Sequence, residues 1–372
     1  MAGIYVHIPF CRKACYYCDF HFTTNLKSKS EMVDAIYNEL ADRHTYLQEE
    51  ISTIYFGGGT PSLLDSDELN KILSTIYEKY SVQSNAEITL EANPEDLAVS
   101  KTVELFNLGF NRLSIGVQSF SSEKLKWMNR NHTNEQVLSG YSNARKAGFS
   151  NISLDFMYAL GDLSYTVKDL KQAINLFPEH ISLYGLTIEE GTVFGKWKQS
   201  GKLIEQTEES AALQYMTAIK TLQESGYQQY EVSNFCRDDN RSRHNSAYWG
   251  GVPYLGVGPG AHSFNKYSRR ANIRNNKKYI EGIAKGTLYY DTEVLDSTQL
   301  LNERVLTQLR TIGGIDIEAM KRDFQVDLLA RHKDVIQQFL DNKLIKVTNN
   351  RIALSEQGYL VADEIALQLF SD

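Results

Sequence analysis

Three of the chain's four cysteines, Cys11, Cys15 and Cys18, fall within one short N-terminal run spaced C-x3-C-x2-C. Cysteine thiolates are the ligands that hold iron–sulfur clusters. A cube of four irons takes four ligands, so a run of three leaves one iron open to bind and reduce another molecule. Two other chemistries use the same residue types. Zinc favours a closed tetrahedron, which His7 or His21 could complete. A disulfide would leave one thiol unpaired, at spacings too tight for a useful staple. Cys236 lies far away in sequence and reads as a small buried apolar residue.

These residues must be positioned by the elements around them. Short β-rich runs occur at Ile4–Ile8, Thr53–Phe56, Glu87–Glu91, Arg112–Val117, Asn151–Phe156 and His180–Leu186. Helical periodicity fills the gaps, with apolar faces over Glu31–Gln48 and Asp67–Tyr80 and further segments near 100–108, 134–148, 165–176 and 207–225. Strands alternating with helices imply an α/β fold on a parallel sheet. The unusual residues cluster at the C-terminal tips of these strands. They are the cysteines, Gly57-Gly-Gly-Thr-Pro61, Glu91-Ala-Asn-Pro94, Gln118-Ser119 and Asp155. Barrel enzymes gather their sites on that face. Six units fall short of the usual eight, so we expect an incomplete (β/α)6 barrel, open on one side.

The organisation changes after residue 227. Residues 1–227 make the barrel, 228–295 form a connecting region rich in Gly, Asn, Tyr and Arg, and 296–372 form a small α+β domain. The last contains a helix at 297–311, two helical patterns within 316–341, a hairpin Leu344–Val347 and Arg351–Leu354 turning at Asn349-Asn350, and a helix at 355–370, which is a winged-helix-like order. Residues 231–280 carry nine Lys or Arg against three acids, around the motif His244-Asn-Ser-Ala-Tyr-Trp249, so an acidic ligand is expected there. The 296–372 segment carries nine bases against twelve acids, and the whole chain a formal charge of −7, which argues against nucleic acid as a partner. Few cysteines, no charged-then-apolar leader and no apolar run of membrane-spanning length place the expectation in a reducing cytoplasm, with at most peripheral membrane association.

With Tyr5-Val-His-Ile-Pro-Phe10 ahead of the cysteines, the chain resembles the radical S-adenosylmethionine (SAM) superfamily. More narrowly, it resembles the oxygen-independent coproporphyrinogen III oxidase-like family and its haem-chaperone branch. The likeness extends through Phe56-Gly-Gly-Gly-Thr-Pro61, Thr89-Leu-Glu-Ala-Asn-Pro94, Arg112-Leu-Ser-Ile-Gly-Val-Gln-Ser-Phe120, His180-Ile-Ser-Leu-Tyr184, Tyr230-Glu-Val-Ser-Asn-Phe235 and the H-N-x-x-Y-W motif. It implies a [4Fe-4S] cluster on Cys11, Cys15 and Cys18, and S-adenosylmethionine bound by Tyr5, Tyr17, Gly58, Gly59, Thr60, Glu91, Gln118, Arg130 and Asp155. Of these, Gly58, Gly59 and Thr60 would pair with the methionine amine, Glu91 would accept from the ribose hydroxyls, and Arg130 would offer its planar fork to the carboxylate. Haem is implied at His244, Asn245, Tyr248 and Trp249, with His244 as axial ligand and nearby arginines for the propionates.

The oxidase branch carries a further cysteine two residues past the triplet. Here that position is Phe20. The resemblance therefore implies a haem chaperone that passes haem, or a related porphyrin, to acceptor haemoproteins. Its alternative is oxidative decarboxylation of coproporphyrinogen. A flavodoxin or ferredoxin as electron donor and a homodimer fit the same picture. The family usually reads Tyr-Gly-Leu-Pro-Gly after the fifth strand, whereas this chain has Tyr158-Ala-Leu-Gly-Asp162, and losing the proline should loosen that loop.

Overall fold

A computed structural model describes residues 1–287 and 290–371. Its centre is six strands in chain order, each parallel to the next: β1 (Ala2–Ile8), β2 (Ile51–Gly58), β3 (Val82–Ala92), β4 (Arg112–Gln118), β5 (Ile152–Tyr158) and β6 (His180–Gly185). Along a strand, successive side chains point to opposite faces. One set, including Ile4, Val6, Ile54, Phe56, Leu90, Ile115 and Leu154, is apolar and joins the main core with residues of the surrounding helices. The alternate set is polar, and Tyr55, Glu91, Arg112, Ser114, Asp155 and Ser182 from five strands line one shared cavity. The curved sheet thus has an apolar outer face covered by helices and a polar lumen.

The segment after the sixth unit flanks this sheet at both edges. Strands β7 (Gln228–Glu231) and β8 (Asn234–Cys236) extend it antiparallel beyond β6. At the other edge β9 (Tyr254–Val257) pairs parallel with β1, followed by antiparallel β10 (His262–Phe264), β11 (Ser268–Asn272) and β12 (Tyr290–Val294). The strand order runs β12-β11-β10-β9-β1-β2-β3-β4-β5-β6-β8-β7, and among the described residues its two ends do not pair. The barrel is therefore incomplete and open. Between β8 and β9 a short helix, Arg243–Trp249, packs against β1 and β2.

Helices begin where side chains cap them. Asp65 and Glu68 form a capping box for Ser66–Lys79, as Thr133 and Gln136 do for Asn134–Ala147. The first helix spans Lys29–Asp42, shorter than the expected Glu31–Gln48. Its periodicity stops where Arg43 turns inward, donating to Glu39 at 2.9 Å, the Gly256 carbonyl at 3.0 Å and Ser263 at 3.0 Å. The C-terminal part has helices Ser297–Leu309, Ile317–Phe324, Leu328–Arg331 and Lys333–Asp341 around a small antiparallel sheet, ordered β13 (Ile315–Asp316), β15 (Arg351–Leu354), β14 (Ile345–Thr348). Asn349 and Asn350 both take left-handed φ, 51° and 57°, in the two-residue turn. The final helical segment is shorter than 355–370, running as a 3-10 turn at Gly358–Val361 and then Ala362–Gln368. Gly358 abuts the Leu344 carbonyl with no room for a Cβ.

Glu39 ties the added edge strands to the barrel. Its buried carboxylate accepts from Arg43, from Asn272 at 2.8 Å, from the Gly258 amide at 2.9 Å and from the Tyr279 hydroxyl at 2.6 Å. Removing it strands a buried guanidinium and amide. Glu39→Ala is expected to lower the unfolding free energy by about 3–5 kcal/mol in a denaturant titration.

Candidate functional site

The lumen holds a cavity of about 430 Å³, a size ordinary for a small-molecule site. Cys11, Cys15 and Cys18 line its mouth, Gly58, Gly59 and Thr60 one wall, and Glu91, Gln118, Arg130, Asp155 and Tyr17 further positions. Tyr5 does not reach the cavity. Its ring lies behind Tyr55, centroids 6.2 Å apart, and its hydroxyl is 3.1 Å from His7 Nδ1. Of the residues expected around S-adenosylmethionine, all but Tyr5 therefore meet at one cavity.

The cysteine loop is held by backbone contacts. The Cys11 amide donates to the Thr23 carbonyl at 3.0 Å and the Tyr16 amide to Met128 at 3.1 Å. Tyr16 and Tyr17 also pack into a small apolar cluster with Met128 and Phe194. All four cysteines are free thiols. Burial pushes the Cys11 thiol up to about 11 and the Cys18 thiol up to about 12. They are protonated as they stand, and metal binding must displace those protons. Thr60 Oγ1 donates to Cys11 Sγ and an Arg130 amino group to Cys15 Sγ, both at 3.5 Å, so both sulfurs already accept hydrogen bonds.

Among the described residues, no three His, Cys, Asp or Glu side chains close on a point as a one-ion site requires. Zinc would draw its sulfurs together at about 2.3 Å from one centre. A cube takes each thiolate on a different iron, and Cys11, Cys15 and Cys18, lining one cavity, are three thiols that fit such a group.

The wall residues are held as tightly. Gly58 has φ +105°, and a Cβ there would come within 2.5 Å of the His7 ring. Its amide donates to Glu91 at 3.2 Å, and the Tyr55 hydroxyl donates to the other Glu91 oxygen at 2.8 Å. Burial is the main cause that lifts Glu91 to about 7, with Asp155 adding to it. Asp155 accepts from Ser114 at 2.8 Å and Ser153 at 2.9 Å, and burial raises it too. One Arg130 amino group is already shared between Asn93 at 2.8 Å and the Gly116 carbonyl at 2.7 Å, while its Nε is buried without a partner. Gln118 is a non-glycine residue at φ 65°, a strained conformation of the kind that gathers at functional sites.

The H-N-x-x-Y-W residues do not share one surface. Asn245 closes the cavity floor. The His244 ring lies beside it, stacked on Tyr55 with centroids 5.0 Å apart, its Nδ1 2.8 Å from Thr53 Oγ1. Tyr248, 40 % exposed, lines a separate cleft of about 160 Å³ with Tyr254, Arg269, Glu303 and Arg304. Trp249 meets the Arg310 guanidinium, 5.4 Å from its ring centre. Residues missed from the sequence include Tyr55, Asn93, Arg112, Ser114, Ser182 and Tyr184, all cavity-lining. A polar residue at every second position of otherwise apolar strands was the available signal. The loop after β5, which lacks the proline, is held by other contacts. Ala159 sits at φ 62°, and Gln214 clamps the turn through the Ala159 amide at 3.0 Å and the Gly161 carbonyl at 2.8 Å.

Residues 5–176 match the Radical SAM superfamily and 295–361 the HemN C-terminal domain. The Heme chaperone HemW of Bacillus subtilis is 34% identical over 98% of both chains. That of Escherichia coli is 32% identical over 99% of this chain and 97% of its own. The chain belongs to the HemW family of radical SAM proteins. A mitochondrial radical S-adenosyl methionine domain-containing protein 1 of Danio rerio is 39% identical over 98% of this chain and 86% of its own. The solved coproporphyrinogen III oxidase (HemN) of Escherichia coli superposes with a TM-score of 0.85 at 22% identity, covering 100% of this chain and 90% of that one, which establishes the shared fold. A radical SAM fold implies a [4Fe-4S] cluster and S-adenosylmethionine. No helix among the described residues is long and apolar enough to cross a membrane.

A carboxyl whose folded pKa is raised stabilises the fold below its unfolded pKa, and that contribution is lost as pH rises through the folded value. Glu91 is such a group, lifted from 4.5 to about 7. Glu91→Gln is accordingly expected to raise the stability of the cofactor-free protein at pH 8 and to give no gain at pH 4, measured by urea denaturation at both.

Proposed function

We propose that this protein is a haem chaperone that holds a [4Fe-4S] cluster and S-adenosylmethionine in the barrel lumen and transfers haem to acceptor haemoproteins. The observation that carries this is similarity over nearly the whole chain to proteins named heme chaperones. Phe20 supports it from the structure, since it stands 72% exposed at the cavity mouth where the oxidase branch has a further cysteine.

When bound, the cluster supplies an electron that can cleave S-adenosylmethionine to a carbon radical. The chain's own part is to bind and orient. Cys11, Cys15 and Cys18 hold the cluster, and Arg130 and Thr60 donate to two of the three sulfurs. Gly58, Gly59 and Thr60 offer backbone to the methionine amine, and the buried Arg130 Nε remains as a donor for its carboxylate. Glu91 and Asp155 meet the sugar, with Gln118, Tyr17 and, through Tyr55, Tyr5 shaping the rest of the wall.

Haem is assigned by this reading to the Arg243–Trp249 helix, at the end that carries Tyr248 and Trp249. Tyr248 is open to a ligand, and Arg269, paired with Glu303, and Arg304, 3.8 Å from Asp323, stand beside it as cations that propionates would draw from those carboxylates. A flavodoxin or ferredoxin supplies the electron, cofactor binding controls loading or dimerisation, and membrane contact is at most peripheral.

Anaerobic incubation of the reconstituted protein with coproporphyrinogen III, S-adenosylmethionine and reductant tests the choice. No sustained protoporphyrinogen formation is expected, whereas hemin added to the same preparation should produce a saturable Soret shift. Turnover of the porphyrinogen would establish the oxidase instead. Tyr248→Ala with Trp249→Ala should weaken the hemin titration at least tenfold.

A further inference from the structure

We infer that His244 is a positioning residue for the cofactor cavity, acting through Tyr55 on Glu91, and that it links the Arg243–Trp249 helix to what the cavity holds. This rests on the reading that the cavity binds S-adenosylmethionine. It gives His244 a task unlike that of an axial haem ligand.

The path is short and made of packed groups. Glu91 faces the cavity with one oxygen fixed by the Gly58 amide at 3.2 Å and the other by the Tyr55 hydroxyl at 2.8 Å. A carboxylate held in this way keeps its remaining lone pairs aimed at a vicinal diol. The aim depends on where the Tyr55 ring stands, and that ring is one corner of a triangle of rings, with Tyr5 and His244 themselves 6.5 Å apart. His244 stacks on it with centroids 5.0 Å apart and planes 28° from parallel, and Tyr5 stacks on it at 6.2 Å. Offset stacking of this kind fixes ring orientation with little freedom to slide.

His244 is itself immobilised. Its Nδ1 is 2.8 Å from Thr53 Oγ1. Its backbone amide and that of Arg243 donate to the two oxygens of buried Glu87, at 3.0 and 2.9 Å. Gly3 leaves the space for it, since a Cβ there would approach the imidazole to 3.3 Å. Burial, with Arg112 as the second cause, lowers its pKa to about 4, so the ring is a neutral slab across the physiological range. A cation at this place would pull on the Glu91–Tyr55 pair. The next residue, Asn245, lines the cavity directly. The same short helix ends on Trp249, packed under Arg310 of the C-terminal domain. His244 thus stands in contact between Tyr55, which holds Glu91, and the helix that carries Tyr248 and Trp249.

The test measures S-adenosylmethionine binding by anaerobic equilibrium dialysis on full-length, cluster-reconstituted protein, with iron content and hemin titration in parallel. His244→Ala should weaken S-adenosylmethionine binding about tenfold, the worth of one charge-assisted hydrogen bond, with iron content and the Soret titration in the absence of S-adenosylmethionine unchanged. His244→Phe, which restores a flat neutral ring, should recover most of the affinity. Tyr55→Phe should lose as much as His244→Ala, and the double variant little more, because the two act on one carboxylate. Wild-type affinity in His244→Ala, additive losses in the double variant, or loss of that Soret shift in His244→Ala would each overturn the proposal. Failure of the wild-type protein itself to bind S-adenosylmethionine would instead overturn the reading of the cavity.

Discussion

Polar side chains facing inward on a parallel sheet are the constraint on which this structure turns. A parallel barrel normally fills its lumen with branched apolar residues. Here the inward set includes Thr53, Tyr55, Glu87, Glu91, Arg112, Asp155 and His180, and burying them costs free energy unless each finds a partner. Partners come from neighbouring strands: Tyr55 for Glu91, Ser114 for Asp155, and Ser153 and Tyr230 for His180, each at 2.8 Å. Where they do not come from strands they come from the Arg243–Trp249 helix, whose first amides satisfy Glu87. Arg112 is the exception, its Nε buried without a hydrogen-bond partner among the described residues, while the others form a connected network. Such networks are high-stakes, because partial satisfaction is worse than an apolar core.

That constraint explains why the chain continues past its sixth strand–helix unit. Six units leave a sheet with two free edges and an open lumen. Strands β7 and β8 cover one edge and β9 to β12 the other, while the helix between β8 and β9 closes the floor. Glu39 is the pin for the β9 side, a buried carboxylate that collects donors from Arg43, Asn272, Tyr279 and the Gly258 amide. The C-terminal domain then joins at β7, where the Val232 amide donates to the Arg310 carbonyl at 3.0 Å and the Ile312 amide to the Tyr230 carbonyl at 3.0 Å. Arg310 also covers Trp249. Floor, edge strands and C-terminal domain are mechanically continuous.

Much of this was legible in the sequence. The six strands, their helices and the gathering of odd residues at the strand tips follow from periodicity and from residues such as Gly58 and Gln118, whose types mark a turn or a ligand. What periodicity could not reach was long-range. Helix Lys29–Asp42 stops early because Arg43 is drawn to Gly256 and Ser263, more than 200 positions later, and no local rule carries that information. Arg112 and Glu87 look like strand punctuation in the sequence. Only register, which pairs Thr53 with Glu87 and Thr89 with Arg112 across neighbouring strands, places them inside one lumen.

The H-N-x-x-Y-W stretch shows why a compact motif need not be a compact site. His244 and Tyr248 are four residues apart on a helix and so share a face, displaced by about 6 Å along its axis. On a helix lying across the floor of a barrel, that displacement is enough to pass from lumen to rim. His244 ends against Tyr55, inside, and Tyr248 ends in the cleft bordered by Arg269 and Arg304, outside. The same step separates Asn245, at the cavity, from Trp249, at the C-terminal domain. One motif therefore touches both the cofactor cavity and the surface proposed for haem. A seven-residue helix running from the cavity to the surface proposed for haem has few joints between them, which is the geometry that a linkage of the two would need.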